Sequence, residues 1–294
     1  MIGELDGLAP LGRMDQGDLD AIWRLAALCN AADGLDLKIS PAVRTEESAW
    51  TSDFAYVADG ELVGYCSLDG ELEVELCGMV HPEHRRRGIG RALLARARSE
   101  CVRRGARELL LICEERSRAG QAFVATVGGA HRFDEHEMDL RIPADTPVNT
   151  MPAPLDGLRF GLASSTDVTA IVAVTAAAFG DPVEQVARRI ERDLREAPAS
   201  LFGMWQGAEL VGTLKLYDDL PGKVGIYAVA VTPSRQGRGL GRWMMLQALE
   251  HARQQGHSRF GLEVDPDNAN AVALYRGLGF AFTTTYGYYE LPLG

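Results

Sequence analysis

Two stretches of this sequence match one another: VHPEHRRRGIGR at residues 80–91 and VTPSRQGRGLGR at residues 231–242. Every residue of the second stretch lies 151 positions after its counterpart in the first. A shorter match, ELVG at residues 61–64 and again at residues 209–212, precedes each stretch. Two matches in the same order are typical of a duplicated domain. The spacing between the matches differs, which predicts a length change in the hairpin between them.

The length of the chain agrees with a duplication, since 294 residues is the usual size of two domains. Four prolines cluster between residues 143 and 154, as expected of a linker. We therefore predict a first domain at residues 1–146, a linker at residues 147–157 and a second domain at residues 158–294.

Hydrophobic periodicity in the second copy predicts a mixed α/β fold, with antiparallel hairpins first and a strand-helix-strand unit later. The predicted strands are residues 158–163, 201–205, 210–217, 224–231, 260–264 and 282–291, and the predicted helices are residues 166–179, 182–196, a helix from residue 240 onward, and 269–278. The glycine-rich turn therefore lies between a strand and a helix in this copy.

The composition excludes several classes of protein. With 46% hydrophobic and 24% charged residues the chain is typical of a globular protein. It has no apolar run long enough for a membrane span and no basic-apolar leader, so we expect a cytoplasmic protein that does not bind membranes. A net charge of -11 argues against a nucleic-acid partner. The chain has an odd number of cysteines, five, which include no CxxC pair and lie in apolar stretches. This pattern favours buried free thiols over disulfides or zinc ligands.

The glycine-rich turn has a clear physical purpose. Glycine lets the backbone approach a ligand closely, and the N-terminus of the following helix carries a partial positive charge. Pyrophosphate is the natural ligand of such a turn. Arginines add local positive charge in both copies: Arg85, Arg86, Arg87 and Arg91 in the first, and Arg235, Arg238 and Arg242 in the second. The alternative is a solvated Arg-Gly turn without a ligand. The motif occurs twice, each time between a predicted strand and a predicted helix, which argues against that alternative.

Other phosphate-binding motifs fit less well. A dinucleotide fold needs a third glycine after Gly88 and Gly90 at a fixed spacing, and it needs a parallel strand rather than a hairpin before the turn. A nucleotide triphosphatase loop needs Gly-Lys followed by Ser or Thr, which is absent here.

Both halves resemble the GCN5-related N-acetyltransferase (GNAT) family, whose signature is a (Gln/Arg)-x-x-Gly-x-(Gly/Ala) turn between strand and helix. The resemblance implies two tandem GNAT domains, each an open mixed sheet of six or seven strands splayed between its middle strands. It also implies acetyl-coenzyme A as cosubstrate, and no metal. The implied coenzyme-binding residues are Val229, Ala230, Val231, Gln236, Gly237, Arg238, Gly239, Leu240, Gly241 and Arg242, and in the first copy Val80, Arg85, Arg86, Arg87, Gly88, Ile89, Gly90 and Arg91.

The segment after the second turn, LEVDPDNANAVALYRGLGF at residues 262–280, resembles the family's coenzyme-binding strand and helix. The resemblance implies that Asn268 and Asn270 contact the coenzyme and that Tyr275 is a general acid. Glu263 with Tyr275 is similar to the base and acid of ribosomal-protein N-terminal acetyltransferases. The chemistry needs both roles, since the acceptor amine must lose a proton and the departing thiolate must gain one. Packing for Tyr275 and a local hydrogen bond for Glu263 remain the alternatives.

The first copy lacks these two groups. At the offset of 151 it has Ile112 for Glu263, Ser117 for Asn268 and Val124 for Tyr275. We therefore expect a first domain that binds coenzyme A without turnover and a catalytic second domain. A reaction that needs only a base remains an alternative for the first domain, because Glu73 and Glu75 lie on its preceding predicted strand.

The resemblance leaves the acceptor open among several amines. The tandem arrangement is similar to that of mycothiol synthases, which acetylate a cysteinyl amine on a small sugar conjugate. That group usually has a carboxylate where this chain has Gly225. An antibiotic N-acetyltransferase and a peptide N-terminal acetyltransferase are equally compatible, and a non-catalytic acyl-coenzyme A sensor is the alternative of another class. We expect a monomer or a homodimer.

Overall fold

The structure, a computed structural model, describes residues 2, 5–39, 41, 50–143, 157–195, 200–220 and 222–293. The chain forms two compact units. Unit 1 comprises Met1–Glu135 together with Thr284–Gly294, and unit 2 comprises His136–Thr283. Most of the predicted linker lies outside the described residues, so the predicted domain boundaries stay a prediction.

The elements follow the order expected from the duplication. Those of the first half are β1 (Gly7–Leu11), α1 (Gln16–Asp33), β2 (Asp53–Ala58), β3 (Glu61–Asp69), β4 (Glu73–Val80), α2 (Ile89–Arg104), β5 (Glu108–Glu114), α3 (Arg118–Val127) and β6 (Ala130–Arg141). Those of the second half are β7 (Leu158–Leu162), α4 (Val168–Phe179), α5 (Val183–Arg195), β8 (Ser200–Gln206), β9 (Glu209–Leu220), β10 (Lys223–Val231), α6 (Leu240–Gln254), β11 (Arg259–Val264), α7 (Ala269–Leu278) and β12 (Ala281–Leu291). The predicted elements of the second copy are all present, with ends that shift by a few residues, and Glu196 of the predicted second helix lies outside the described residues.

Each unit is built on a mixed sheet of six strands, which confirms the predicted fold class. The order is β1-β2-β3-β4-β5-β12 in unit 1 and β7-β8-β9-β10-β11-β6 in unit 2. Within these two six-strand orders, as far as the structure describes the strands, the parallel pairs are β4–β5 and β10–β11. The last strand of the chain completes the sheet of unit 1, since Tyr286–Leu291 pairs with β5, and the second part of β6 pairs with β11 in unit 2. Sequence order did not predict this exchange of final strands.

The parallel pair in each sheet separates before its strands end. In unit 1 the pairing runs from Glu73 with Glu108 to Leu76 with Leu111, although β4 continues to Val80. In unit 2, Val224 and Gly225 are the paired residues of β10, which continues to Val231. The predicted splay between the middle strands is therefore present in both units.

Helices cover both faces of each sheet. In unit 1, Leu93 of α2 and Val124 of α3 pack with strand residues on one face, whereas α1 packs with Tyr65 and Met79 on the other. In unit 2, α6 and α7 share a core with β11, and α4 and α5 form a separate cluster that includes Ala230 of β10. No helix among the described residues is long and apolar enough to cross a membrane.

Local sequence explains where several helices begin and end. Helix α1 begins with a reciprocal capping box, in which the Asp15 side chain accepts from the Asp18 backbone N–H and the Asp18 side chain accepts from that of Asp15. It ends at Gly34, whose φ of 67° is left-handed and favours glycine. Such caps satisfy backbone groups that the helix itself leaves unpaired.

Because the last part of β12 pairs with β5, a substitution in that part of β12 should destabilise the sheet of unit 1. Tyr288 is 1% exposed and belongs to unit 1, whereas Phe282 lies on the same strand in unit 2 with 48% exposure. We expect Tyr288→Ala to lower the free energy of unfolding by about 3 kcal/mol or more through loss of buried aromatic surface. Hydrogen exchange should then quicken in β5, as followed by mass spectrometry. Phe282→Ala is the matched control and should change the stability by under about 1 kcal/mol. Faster exchange in β10 instead of β5 after Tyr288→Ala would contradict the assignment of β12.

Candidate active site

The two glycine-rich turns have the same backbone shape. In unit 2, Gly237 and Gly239 have φ of 72° and 79°, and in unit 1 the matching Arg86 and Gly88 have φ of 65° and 88°. An arginine in the left-handed region is strained by about 1 kcal/mol or more. The conformation is therefore kept in unit 1 even where the sequence departs from glycine.

Both helices that follow the turns begin without a side-chain cap. Gly88 caps α2 and Gly239 caps α6, and within the described residues no side chain accepts a hydrogen bond from either first turn. The first N–H groups of a helix need acceptors. Open space surrounds both glycines, where an added Cβ would meet nothing within 4 Å. The geometry thus fits an anion such as a pyrophosphate.

The predicted coenzyme-binding side chains fall into two groups. Gln236 and Arg85 fold back to the strand, since Gln236 Nε2 donates to the Val231 carbonyl at 3.0 Å and Arg85 Nε donates to the Val80 carbonyl at 3.1 Å. Arg85 also pairs with Asp33 at 2.7 Å. These two side chains brace the turn against the preceding strand.

Arg235 is half-buried and pairs with Glu209 at 2.8 Å, whereas the other arginines of the turns, apart from Arg85, are exposed. Arg238 and Arg242 of unit 2 each donate a hydrogen bond to a backbone carbonyl, of Ser234 and Gly277 respectively. Arg86, Arg87 and Arg91 of unit 1 form no ion pair with any described residue, and they are in position to meet phosphate oxygens. Helix α2 begins with Ile89 and Gly90, and helix α6 begins with Leu240 and Gly241. The side chains of Ile89 and Leu240 are buried.

A bulge distinguishes the splayed strand of unit 2. Ala228 has a φ of 50°, and the register of β10 against β9 shifts between Tyr227 and Ala230. Strand β4 of unit 1 pairs with β3 without a shift. A bulge redirects backbone groups next to a site, here immediately before the predicted pantetheine contacts Val229, Ala230 and Val231. The sequence analysis did not predict the bulge at Ala228. The second copy has extra residues between ELVG and the turn, and this length difference was the signal that could have indicated a bulge.

Asn268 and its counterpart Ser117 have the same structural role. The Asn268 side-chain oxygen accepts from the Ala271 N–H at 3.1 Å at the start of α7, and the Ser117 hydroxyl accepts from the Gly120 N–H at 3.1 Å at the start of α3. The cap explains either residue at this position. The amide nitrogen of Asn268 and the exposed side chain of Asn270 remain available to a ligand.

Tyr275 lies on α7 in the core of unit 2. It is 7% exposed, and its ring meets that of Phe280 edge to face at 6.1 Å. Among the described residues, none accepts a hydrogen bond from its hydroxyl. Burial raises the pKa of Tyr275 to about 12. The phenol is therefore protonated throughout the neutral range, and its proton is directed at no internal acceptor.

Glu263 lies on the face of β11 away from Tyr275. Leu262 and Val264 join Tyr275 in one core cluster, and side chains alternate along a strand. Glu263 is half-buried and stands opposite Glu137 of β6. The structure thus does not pack the two predicted catalytic groups together, but it places them on opposite faces of the strand that borders the splay.

A charged network surrounds Glu263. The Lys223 ammonium lies 2.6 Å from Glu137 and 2.8 Å from Asp139. Burial alone would lower the pKa of Lys223, but hydrogen bonds to Asp139 and Glu137 raise it. Lys223 therefore keeps its charge and holds Glu137 beside Glu263. No cluster suited to a metal ion occurs within the described residues.

The corresponding region of unit 1 is apolar. Val124 is 3% exposed in the core, and Ile112 lies beside Tyr286. A cavity of about 540 Å³ opens between β4 and β5 next to the glycine turn. Glu73 and Glu75 lie where β4 and β5 are still paired, and neither is among the residues that line the cavity. The structure therefore gives no support to either carboxylate as a base in unit 1.

Known proteins with similar sequences agree with this geometry. The profile of the Acetyltransferase (GNAT) family matches residues 169–280, and that of the Acetyltransferase (GNAT) domain matches residues 51–128. A mycothiol acetyltransferase of Thermomonospora curvata is 33% identical over 92% of this chain and 94% of its own length. A second, from Kineococcus radiotolerans, is 34% identical over 92% of both chains.

Solved structures show the same fold at lower identity. A tandem GNAT protein from the clavulanic acid biosynthesis pathway has a TM-score of 0.74 at 22% identity, covering 98% of both chains. A GNAT from Sphaerobacter thermophilus has a TM-score of 0.73 at 21% identity, covering 96% of this chain and 95% of its own. Together with the sequence relatives, the turns and the splayed sheets, they show that this chain belongs to the GCN5-related N-acetyltransferase family and is an acetyltransferase of its tandem-domain type.

Proposed function

We propose that unit 2 transfers an acetyl group from acetyl-coenzyme A to the primary amine of a small molecule, and that unit 1 binds a coenzyme A thioester without turning it over. The observation that carries the proposal is the Tyr275 hydroxyl, which is protonated, lies beside a splayed sheet and finds no hydrogen-bond acceptor in the described part of the chain. Its counterpart in unit 1 is Val124, which has no proton to give.

The residues of unit 2 fit the coenzyme at both ends of its path. The uncapped N-terminus of α6 and the exposed Arg238 and Arg242 suit the pyrophosphate. The backbone of Val229–Val231, beyond the last residue of β10 that pairs with β11, offers hydrogen bonds to the amides of pantetheine. The coenzyme supplies the activated acyl group, and the chain's own groups manage the protons.

Tyr275 stabilises the departing thiolate. Burial raises its pKa to about 12, above that of an ordinary thiol, which disfavours complete transfer of the phenol proton. The phenol therefore acts chiefly as a hydrogen-bond donor whose bond strengthens as negative charge grows on the sulfur. A buried donor is worth more in this role than an exposed one, because water does not compete with it.

Glu263 accepts the proton that the amine must lose, directly or through one water molecule. A primary amine with a pKa of about 8 to 10 is mostly charged at neutral pH and cannot attack in that form. Three carboxylates, those of Glu263, Glu137 and Asp139, stand near the single ammonium of Lys223, and the excess of negative charge favours the approach of an ammonium group. The base thus stands where the acceptor binds.

The choice of acceptor to test rests on the named relatives and on one position, Gly225, at which this chain differs from mycothiol synthases. The relatives named mycothiol acetyltransferases span nearly the whole chain, so the cysteinyl amine of a small sugar conjugate is the first acceptor to test. Gly225 removes a β10 carboxylate usual in mycothiol synthases, and Glu263 takes the base role in its place. An aminoglycoside serves as the second acceptor in the same assay.

Coenzyme binding to unit 2 should depend on the left-handed turn. Gly239→Val is expected to weaken acetyl-coenzyme A binding to unit 2 at least tenfold, because a side chain at φ 79° distorts the turn and keeps the pyrophosphate at a distance. Calorimetry measures the affinity. Gly256→Val is the matched control, since Gly256 also has a positive φ and open space but lies beyond the end of α6. Equal affinities in the two variants would refute the role of the turn.

Tyr275→Phe should reduce turnover. Removing the phenol proton is expected to lower kcat by about 10²- to 10⁴-fold and to change KM little, because the hydrogen bond to sulfur strengthens only as the thiolate leaves. Steady-state kinetics that follow thiol release measure both constants. Tyr289→Phe removes a phenol hydroxyl in unit 1 that bonds to Gln121, and it should leave kcat within about twofold. A kcat unchanged by Tyr275→Phe would place catalysis elsewhere.

Glu263→Gln should change the pH dependence of the rate. Without a base the enzyme depends on acceptor that is already deprotonated, so kcat/KM should fall at neutral pH and recover as the pH approaches the acceptor pKa of about 8 or more. Glu250→Gln, which removes the partner of Arg253 on α6, serves as the control and should keep the wild-type profile. A uniform loss at every pH would show that Glu263 has a structural role.

A further inference from the structure

The cavity of unit 1 reaches both faces of its sheet. On one face it is lined by Leu93 of α2 and Val124 of α3, and on the other by Tyr65 and Ile39, which pack with α1. Residues of β4 and β5 line it where these strands separate. The cavity therefore passes through the splay, and its volume of about 540 Å³ is that of a site for a drug-sized ligand.

One end of this cavity is polar and suited to a coenzyme. Arg86, Gly88, Gly90 and Arg91 of the glycine turn line it there. The uncapped N-terminus of α2 opens at the same place. This end corresponds to the pyrophosphate site proposed for unit 2.

The segment of residues 35–39, which we name the closing segment, covers the other end. Leu35, Leu37 and Ile39 turn apolar side chains to the cavity. The backbone of Asp36 is held twice, because its N–H donates to Glu114 Oε2 at 2.7 Å and its carbonyl accepts from the Tyr286 hydroxyl at 2.6 Å. The end of the cavity opposite the glycine turn is thus covered by the chain itself.

Two further bonds fix the closing segment. The Leu37 N–H donates to Asn30 Oδ1 at 3.0 Å, and the Lys38 ammonium donates to the Tyr288 hydroxyl at 2.5 Å. Glu135 accepts from the same hydroxyl and lies 3.6 Å from Lys38. These contacts come from α1, from β6 and from the final strand of the chain, so the closed arrangement is part of the fold of unit 1.

Beyond the turn the cavity has an apolar wall at Leu111, Ile112 and Val124. Lys38, Glu114 and Ser117 also line it, and each is engaged in a hydrogen bond. Val124 stands at the position of the Tyr275 ring in unit 2, and its smaller side chain leaves space in the cavity. Cys29, Cys66 and Cys113 also line the cavity. Burial raises the pKa of each thiol, that of Cys113 to about 11, so all three stay protonated at neutral pH and do not attack a thioester.

We propose that unit 1 is a binding site for coenzyme A thioesters with an acyl chain longer than acetyl, held in the cavity without transfer. The inference rests on the proposed binding of the coenzyme at the first glycine turn. It adds that the cavity between Val124, Ile112 and the closing segment receives the acyl chain. Each methylene group buried there should tighten binding about threefold to fourfold, so butyryl-coenzyme A should bind about tenfold more tightly than acetyl-coenzyme A.

The test uses the full chain with Gly239→Val, which weakens binding to unit 2 and leaves the site of unit 1. Calorimetry compares free coenzyme A with its acetyl, butyryl and hexanoyl thioesters. Ile112→Phe adds a ring to the wall of the cavity, and Ile112→Leu is the matched control of equal volume. We expect affinity to rise with chain length in the Gly239→Val protein and in the Leu variant. In the Phe variant the affinity for hexanoyl-coenzyme A should fall at least tenfold, with little change for free coenzyme A.

The outcomes separate this inference from the proposal on which it rests. Affinity that is flat or falls with chain length, while free coenzyme A still binds, overturns the inference and leaves the first turn as a coenzyme site. Loss of binding for every ligand in the Gly239→Val protein overturns both. Chromatography of the butyryl ligand after incubation with the amine acceptor gives a second readout, in which recovery of the intact thioester supports a closed site and its consumption contradicts it.

Discussion

A parallel pair of strands that separates before its strands end is the constraint on which the rest of each unit depends. Where β10 leaves β11 after Gly225, the facing backbone groups of both strands lose their partners in the ladder. Unpaired backbone groups are costly when buried, so such a gap persists only if a ligand or water satisfies it. The glycine turn, the uncapped helix and the bulge at Ala228 all lie at the open end of this gap. Each of the three interrupts regular secondary structure and leaves backbone groups without a partner in a helix or sheet. Together they line one path that a ligand can occupy.

The two copies keep this path and differ in the groups beside it. Tyr275 and Val124 occupy matching helices, and both are buried in a core, yet the tyrosine has a hydroxyl proton that no described residue accepts, whereas the valine has none. Glu263 is likewise replaced by Ile112, which packs beside Tyr286 instead of a charged network. A charged group of side chains in unit 2 thus corresponds to apolar side chains in unit 1. The two units share the geometry of the turn and the splay and differ in the side chains beside them.

The sequence predicted those features that depend on local residue types. The turns and the helices that follow them depend on glycines at fixed positions, whereas Asn268 was expected to contact the coenzyme and its cap on α7 was not foreseen. The left-handed conformation of Arg86 and Ala228 was not predictable in this way, because neither residue favours it and the surrounding strands impose it. The closing segment was also missed. Its position depends on hydrogen bonds to Glu114 and Tyr286, which are remote in sequence and leave no periodic signal.

The pairing of β12 with β5 has a consequence for how the protein folds during synthesis. Leu109 pairs with Leu291, so the sheet of unit 1 is incomplete until the ribosome has translated nearly the whole chain. Until then β5 presents an unpaired edge and the tyrosines that cover it are missing, a state that exposes a nascent chain to aggregation. Contacts so distant in sequence also slow folding, because a long loop must close before they form. The half of the chain that is made first is therefore the half that is completed last.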